Sequence, residues 1–422
     1  MENQTFDPEQ KKRSALLFIF ITVVIDVIGL GIIIPVTPTL IQELTGGTIS
    51  DASEYGGWLM FAYASTQFFF ASVLGNLSDR FGRRPVLLLS LLGFAINYLL
   101  IGLAPSILWL FVGRLVAGVT GASHTVAAAY IADVSPPSKR AQNFGLLGAA
   151  FGLGFIIGPV LGGVLGHYGA RIPFFAAAGL SLLNFLYGYF VVPESLAKEK
   201  RRPFEWRKAN PIGSFKHIRK FPEIGTLVVC IFLVNLAAHS VQSTWPYYTM
   251  ERYQWTERMV GISLGFIGLL LAIVQAGLLR IIIPRIGSEK SVLIGLSLYT
   301  IALPIMAFAY EPWILYAASI PFVLAGIGGP AIQGIISLRV PPTEQGQIQG
   351  GLTSVISLTA VFGPPMMTAL FAYFTGDHRP FYLPGAPFLM GGLLTLISVI
   401  LAVNHFKNKS SKDQAYESNR SN

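Results

Sequence analysis

The sequence predicts an all-α membrane protein whose twelve transmembrane helices form two similar six-helix bundles. Of its 422 residues, 53% are hydrophobic and only 12% are charged, about half the charged fraction of a soluble domain. The apolar residues fall in about a dozen blocks of ~20 residues, the length that crosses a bilayer core of about 30 Å. The second half of the chain also repeats landmark residues of the first half. We therefore expect lipid to cover most of the protein surface.

The predicted spans are the apolar blocks, which are separated by polar loops. They are residues 14–42, 54–76, 85–104, 107–132, 141–166, 172–192, 223–249, 258–284, 291–310, 312–339, 346–374 and 385–406. Glycine and proline recur inside them, which membrane helices tolerate because neighbouring groups satisfy the freed backbone atoms. The polar segment 193–222 divides the chain near its middle. We predict one bundle at 1–192, a cytoplasmic linker at 193–222, a second bundle at 223–406 and a disordered cytoplasmic tail at 407–422.

The distribution of positive charge predicts the orientation of these helices. The formal net charge is +9, and most of the 30 Lys and Arg residues lie in the termini and the even-numbered loops. Positive charge collects on the cytoplasmic side of membrane proteins, so both termini are predicted to be cytoplasmic. We expect a multi-pass protein of the cell (inner or plasma) membrane, in contact with lipid and not with nucleic acid. The single cysteine, Cys230, excludes a disulfide framework.

An internal repeat relates the two halves at an offset of 205 residues. The matched landmarks are Gly56 with Gly261, Gly82 with Gly287, Pro136-Pro137 with Pro341-Pro342, and Gly158-Pro159 with Gly363-Pro364. Chance matching in a glycine-rich chain is the alternative, but chance does not readily hold one offset through a Pro-Pro and a Gly-Pro pair. Two parallel six-helix halves are typical of secondary transporters, which bind substrate between the halves near mid-membrane.

The loop between the second and third spans carries the most specific motif. It reads Gly75-Asn-Leu-Ser-Asp79-Arg80-Phe-Gly82-Arg83-Arg84-Pro85. Glycine permits a tight turn, and the aspartate can form charge-assisted hydrogen bonds with the arginines, so the motif is predicted to be a latch at the helix ends. The alternative is that individual arginines are only positive-inside anchors. The second half has Pro284 where Asp79 repeats, so the predicted latch is one-sided.

The fifth span is rich in glycine at helical spacing. Gly154, Gly158, Gly162 and Gly166 recur every four residues and therefore line one helix face, where small side chains let helices approach closely. Pro159 and Gly163 complete the pattern GxxxGPxxGG. Ordinary small-residue packing is the alternative explanation for each glycine alone.

Two charges lie inside predicted spans. Asp26 lies in the first span and Arg114 in the fourth. A charge at this depth costs several kcal/mol, so it is expected to face a cavity or a partner. Asp26 is predicted to take up and release protons, with Arg114 as its partner. A static buried ion pair is the alternative.

Several further polar or aromatic residues inside the spans are candidates for the substrate cavity. They are Gln67, His124, Asn235, His239, Gln242, Trp245, Gln275 and Gln333. A histidine could change charge near neutral pH. Each residue alone is equally consistent with a hydrogen bond that joins neighbouring helices.

These motifs resemble those of a known family. The 75–85 loop is similar to the loop signature of the major facilitator superfamily, and GxxxGPxxGG resembles the signature of its drug/H+ antiporters with twelve spans. The strings IDVIGLGIIIPVTPTL, GRLVAGVTGA, AYIAD and LLNFLYGYFVVPES resemble tetracycline/H+ efflux proteins. The resemblance implies a major facilitator fold, proton coupling at Asp26 and Arg114, and a latch that holds the two halves in one state.

The second half departs from that family pattern. Tetracycline/H+ efflux proteins carry a histidine in helix eight and an aspartate in helix nine that are tied to proton movement. The aligned positions here are Leu271 and Tyr299. Protons are then expected to move through Asp26 and Arg114 alone, or through His239. The departure counts against tetracycline as the substrate, but not against the wider antiporter group.

The sequence therefore predicts a proton-coupled antiporter that exports small amphiphilic or drug-like molecules by alternating access, functional as a monomer. The first alternative is an importer or facilitator of a small polar solute on the same fold, and the second is a non-transporting sensor. The sequence contains no phosphate-binding P-loop and no cluster with metal-ligand spacing. We predict neither an enzyme nor a cofactor or metal site.

Overall fold

A computed structural model describes residues 8–121, 123–136, 139–204, 218–341, 344–377, 379 and 381–420. Every regular element in these ranges is a helix, and none is a strand. The predicted linker falls partly on 205–217, which lie outside the described residues.

In the described residues, eight α-helices precede the linker. They are α1 (Pro8–Ile32), α2 (Thr37–Thr45), α3 (Ile49–Phe81), α4 (Arg83–Gly102), α5 (Ile107–Thr120), α6 (Ser123–Val134), α7 (Arg140–Gly166) and α8 (Ile172–Val191). The chain bends by 45° between α1 and α2, where Pro35 lies in the connecting turn. A capping box starts α3, since Thr48 accepts from the Asp51 backbone and Asp51 accepts from the Thr48 backbone.

Eight more α-helices follow the linker in the part of the chain that the structure describes. They are α9 (Gly225–Tyr253), α10 (Glu257–Ile273), α11 (Leu279–Ile286), α12 (Ser288–Ala307), α13 (Pro312–Leu324), α14 (Gly328–Leu338), α15 (Gln345–Thr375) and α16 (Ala386–Arg420). A π-helical turn at Val274–Leu278 joins α10 to α11, and a 3₁₀ turn at Ala325–Ile327 joins α13 to α14.

The all-α prediction is confirmed, and each predicted span coincides with one helix or with two consecutive helices. In the described part of the chain, ten helical segments are long and apolar enough to cross a membrane, or eleven if α1 and α2 count as one span. The predicted span 258–284 is broken by the π turn, so α10 has only 17 residues. The predicted disordered tail differs from the structure, because α16 continues to Arg420 through a segment without glycine or proline.

Contacts divide the chain into two compact units. The first contains Met1–Pro211 and Trp255–Leu269, and the second contains Ile212–Gln254 and Leu270–Asn422. Residues 255–269 thus belong to the second repeat in sequence and to the first unit by contact. Each unit has its own buried core, around Leu91 and Tyr130 in the first and around Ile231 and Ile332 in the second. The division predicted at 193–222 stays a prediction.

Candidate functional site

The first candidate site surrounds Asp26 on α1. Asp26 is only 8% exposed, and its Oδ2 atom accepts a hydrogen bond of 2.5 Å from the Ser123 hydroxyl at the start of α6. A buried carboxylate in an apolar setting needs such donors, because an unsatisfied charge is costly there. Asp26 is thus buried among the helices of the first unit, with one donor on one carboxylate oxygen.

Arg114 on α5 belongs to the same polar cluster but does not pair directly with Asp26. The ion pairs among the described residues include none within 4.0 Å between these two side chains. Tyr63 on α3 and Tyr98 on α4 instead lie close enough to both charges for electrostatic interaction. The predicted partnership is therefore an indirect one, with two phenol groups near both charges.

Gln67 ties α3 to the turn between α5 and α6. Its side-chain nitrogen donates to the Tyr63 hydroxyl at 3.0 Å and to the Gly121 carbonyl at 3.1 Å. This predicted cavity residue therefore joins two helices beside the Asp26 cluster. The side chain of His124, another predicted cavity residue, lies outside the described part of the structure.

The glycine face of α7 packs against α1 next to Asp26. A methyl group at Gly154 would lie 2.6 Å from the Val27 side chain, and one at Gly158 would lie 2.8 Å from the Ile28 carbonyl oxygen. Such distances are too short for a carbon atom, so only glycine permits this approach. Gly162 likewise packs on the backbone of Ile32. The predicted close packing therefore holds the helix that carries Asp26.

A second face of α7 packs against the start of α10 inside the first unit. A methyl group at Gly163 would lie 2.6 Å from the Glu257 carbonyl oxygen, and one at Gly261 would contact the Pro159 carbonyl oxygen. The Thr39 hydroxyl on α2 also donates to Glu257 Oε1 at 2.6 Å. Close glycine packing and this hydrogen bond explain why 255–269 groups with the first unit, a contact that sequence reasoning missed.

The predicted latch centres on Arg83, which is only 9% exposed. Its Nη1 atom lies 2.7 Å from Asp79 Oδ1 and donates to the Ser78 hydroxyl at 2.6 Å. Its Nε atom donates to Asp133 Oδ2 at 3.0 Å. Two carboxylates and a hydroxyl therefore surround one buried guanidinium, which is more than an anchoring role requires. Gly75, also in the motif, packs near Thr125 of α6.

Glu194, just after α8, caps the start of α4. Its Oε1 atom accepts from the Arg83 backbone at 2.8 Å and its Oε2 atom from the Arg84 backbone at 3.3 Å. A carboxylate at a helix N-terminus is favourable because it meets free N–H groups and the positive end of the helix dipole. Gly82 has a φ of +105°, and a side chain there would collide with the Glu194 carboxylate. Glycine therefore serves both the turn and this cap.

The other motif arginines take different positions. The Arg84 Nη2 atom donates to the Tyr189 carbonyl at 2.6 Å, whereas Arg80 is exposed and lies over the Phe81 ring at 5.1 Å. Sequence reasoning missed Asp133 and Glu194 as members of the latch. Both lie in the strings AYIAD and VVPES that carry the family resemblance, which was the available signal.

We predict that Arg83→Lys weakens the latch. One ammonium group cannot match the fork of donors that reaches Asp79, Asp133 and Ser78 together, so we expect a loss of about 2 kcal/mol of folding free energy, the contribution of a hydrogen bond to a charged group, and slower transport. Thermal unfolding of the purified protein measures the first effect, and vesicle flux measures the second. The exposed Arg80→Lys is the matched control, with a change below about 0.5 kcal/mol. Equal melting temperatures for both variants would contradict the latch.

The candidate cavity residues of the second unit mostly bond within their own helix or pack against apolar groups. The Asn235 side chain donates to the Ile231 carbonyl of its own helix, and the His239 ring packs on the backbone of Gly363. Trp245 is 1% exposed. Of the other candidates, Gln242 and Gln275 are exposed and Gln333 is half-buried. Their role as cavity residues stays a prediction.

The positions that depart from the family pattern are apolar or aromatic in their surroundings. Leu271 is half-buried on α10, and the Tyr299 ring meets the Phe322 ring edge-on with centroids 5.2 Å apart. Among the residues that the structure describes, no group of three or more His, Cys, Asp or Glu side chains could hold a metal ion.

Comparison with known proteins gives consistent similarities along the chain. A family model described as Major Facilitator Superfamily matches residues 19–329 and 278–420. The class C tetracycline resistance protein of Escherichia coli is 40% identical over 362 residues, which cover 86% of this chain and 91% of that protein. The class H tetracycline resistance protein of Pasteurella multocida is 34% identical over 405 residues, 95% of this chain and 98% of that protein.

A solved structure is similar in fold. The human organic anion transporter MFSD10 superposes with a TM-score of 0.68 at 23% sequence identity, over 93% of this chain and 99% of that one.

Proposed function

This chain belongs to the Major Facilitator Superfamily, and from that membership we propose that it exports tetracycline-like drugs across the cell membrane in exchange for protons. It is a proton-coupled drug exporter and not an enzyme. Tetracycline enters the proposal because relatives at 34% and 40% identity are tetracycline resistance proteins. The importer of a polar solute is not favoured.

The observation that carries the proposed mechanism is the buried Asp26 carboxylate beside Ser123, Tyr98 and Arg114. A protonated Asp26 is neutral and no longer attracts the Arg114 guanidinium, whereas the ionised form does. The two protonation states therefore favour different arrangements of α1, α5 and α6. A proton or a substrate shifts such an equilibrium only by its difference in affinity for the two arrangements.

We propose the following cycle. A proton enters Asp26 from outside, biases the protein toward the inward-open state and leaves to the cytoplasm as the drug binds. Binding of the drug then shifts the protein to the outward-open state. There the drug is released, and Asp26 is protonated again. Proton and drug move in opposite directions because each favours a different state. The cycle needs one chain only, so the protein is proposed to work as a monomer. The distribution of positive charge supports the proposal that both termini lie in the cytoplasm.

The departure at Leu271 and Tyr299 limits the route of the proton. Neither side chain ionises readily, so the proposed route uses Asp26 and Arg114 in the first unit. His239 in the second unit is the alternative titratable group for this route. The proposed substrate contacts in the second unit are aromatic and amide side chains, including Trp245 and Gln242.

Transport by the purified protein in proteoliposomes tests the proposed function. We expect an imposed pH gradient to drive tetracycline into the proteoliposomes, and an ionophore that collapses the gradient to stop it. Empty liposomes measure leakage. If the gradient drives an unrelated drug but not tetracycline, the proposed substrate is wrong. If no drug in a panel responds to the gradient, proton-coupled export is wrong.

A further inference from the structure

Tyr98 on α4 has a buried hydroxyl that has no role in the proposed cycle. The side chain is 1% exposed, and its ring stacks with Phe94 at a centroid distance of 6.2 Å. No residue in the described part of the chain forms a hydrogen bond with its hydroxyl. A buried phenol O–H usually has a partner, because leaving it unsatisfied costs free energy.

The contact of Tyr98 with α1 places its hydroxyl near Asp26. The ring lies against Gly29, where a methyl group would be 3.6 Å from the Tyr98 hydroxyl oxygen. Gly29 is three residues beyond Asp26, and residues at this spacing share one face of a helix with Cβ atoms about 5–6 Å apart. Tyr98 also lies within electrostatic range of Asp26 and Arg114. Its free donor is therefore next to the carboxylate.

Asn97, which precedes Tyr98 on α4, contacts α5, the helix that carries Arg114. Asn97 is 1% exposed, and a methyl group at Gly113 of α5 would lie 2.9 Å from its side-chain oxygen. Gly113 directly precedes Arg114. Consecutive residues of α4 thus meet the helix that carries the acid and the helix that carries the base. This helix is consequently well placed to respond to a change of charge at either one.

The carboxylate itself has room for a second donor. Ser123 donates to Oδ2, and an ionised carboxylate accepts several hydrogen bonds through its two oxygens. When Asp26 loses its proton, the burial of the new charge favours recruitment of any free donor nearby. The Tyr98 hydroxyl is such a donor, because it has no hydrogen-bond partner among the described residues, whereas the Tyr63 hydroxyl is held toward Gln67 by the hydrogen bond that it accepts.

We propose that Tyr98 donates the second hydrogen bond to the ionised Asp26 carboxylate and thereby sets the affinity of Asp26 for protons. This inference rests on the proposed function, in which Asp26 is the proton site. The donor favours the charged form, so it makes Asp26 release its proton more readily. A shift of the hydroxyl between a free and a bonded position accompanies each protonation step, with no net transfer of a proton to Tyr98.

Other groups around Asp26 do not replace this role. Among the described side chains, the titratable or charged groups that face Asp26 are Tyr63 on α3, Tyr98 on α4 and Arg114 on α5. The packed face of α7 presents glycine. Ser181 of α8 lies near Gly29, and the Asn184 side chain of α8 donates to the Thr22 carbonyl. Neither of these α8 side chains titrates.

Infrared titration of the purified full-length protein tests the proposal directly. The carboxylic acid band of Asp26 is identified by its loss in Asp26→Asn, and its intensity is followed against pH. We expect Tyr98→Phe, which keeps the ring, to move the midpoint upward by about one pH unit, a tenfold gain in proton affinity. Ser123→Ala, which removes the donor seen in the structure, should move it in the same direction.

Tyr130→Phe is the matched control. Tyr130 is equally buried, but its hydroxyl donates to the Pro193 carbonyl at 3.0 Å, so its loss should leave the Asp26 midpoint in place. An unchanged or lowered midpoint in Tyr98→Phe, while Ser123→Ala raises it, would overturn the proposal. So would a spectrum in which Asp26→Asn removes no titrating band, because no ionised carboxylate would then exist for Tyr98 to bind.

Transport separates this proposal from the proposed function. If Asp26→Asn still pumps drug against a gradient, the proton-coupling role of Asp26 is wrong, and the Tyr98 proposal falls as a statement about transport. If Asp26→Asn loses pumping while the Tyr98→Phe midpoint is unmoved, only the Tyr98 proposal is wrong. In the expected case, Tyr98→Phe shifts the pH profile of export upward, and Asp26→Asn abolishes export with or without Tyr98→Phe.

Discussion

Replacing Asp26 with Asn is expected to abolish proton-driven drug export, down to the flux of empty vesicles. Asparagine keeps the shape and the Ser123 hydrogen bond of Asp26, but it cannot bind or release a proton. The helices therefore keep their packing and lose only the change of charge that the proposed cycle needs. Drug accumulation in proteoliposomes under an imposed pH gradient, followed over time, measures the effect.

Two further measurements make this expectation specific. Thr22→Val is the matched control, because Thr22 lies one turn earlier on α1 and is 1% exposed. The Thr22→Val variant should retain export, since the Thr22 hydroxyl does not ionise. Drug exchange without a gradient should survive in Asp26→Asn, because binding and movement of the helices do not require a proton. Uphill accumulation by Asp26→Asn would refute the role of Asp26.

The helices were predictable because each apolar block is longer than the bilayer core is thick. The breaks inside these helices were less predictable. The π turn at Val274–Leu278 depends on packing around one helix turn, and its sequence contains common helix residues apart from one glycine. The extension of α16 to Arg420 was missed because a polar composition alone predicted disorder, although no residue there breaks a helix.

The candidate site was predictable in its charges and not in its geometry. A charge inside a span is costly, so Asp26 and Arg114 stand out from the sequence alone. Ser123, which bonds to Asp26, does not stand out, because serine occurs in membrane helices at little cost. The rotation of each helix about its axis decides whether the two charges touch. Rotation depends on packing across the whole bundle, so their separation could not be read from the sequence.

The motif residues of the latch were likewise predictable from the sequence, whereas the spatial arrangement of their partners was not. Asp79 and Arg83 belong to a recognisable motif, but Asp133 and Glu194 are about 50 to 110 residues further along the chain. Only the fold brings these four side chains together. Glu194 lies in the segment 193–222, which is predicted to be a linker because it is polar, and yet it caps α4.

Gly162→Ala is expected to give the second large loss of function, through packing and not through chemistry. A methyl group at this position would lie 2.7 Å from the Ile32 carbonyl carbon and would overlap the Ile32 carbonyl oxygen. Backbone atoms cannot move aside as a flexible side chain can, so α1 must shift away from α7. Forced overpacking of this kind costs about 1–3 kcal/mol, and the shift also moves the helix that carries Asp26.

Gly152→Ala provides the control on the same helix. Nothing lies within 4 Å of a methyl group at Gly152, so alanine there should be neutral or should stabilise the helix by less than about 1 kcal/mol. Melting temperature in detergent and drug export in vesicles are measured for both variants. We expect Gly162→Ala to lower both and Gly152→Ala to lower neither. Equal losses in the two variants would mean that α7 needs glycine for flexibility along its length, and that close contact with α1 is not the reason for Gly162.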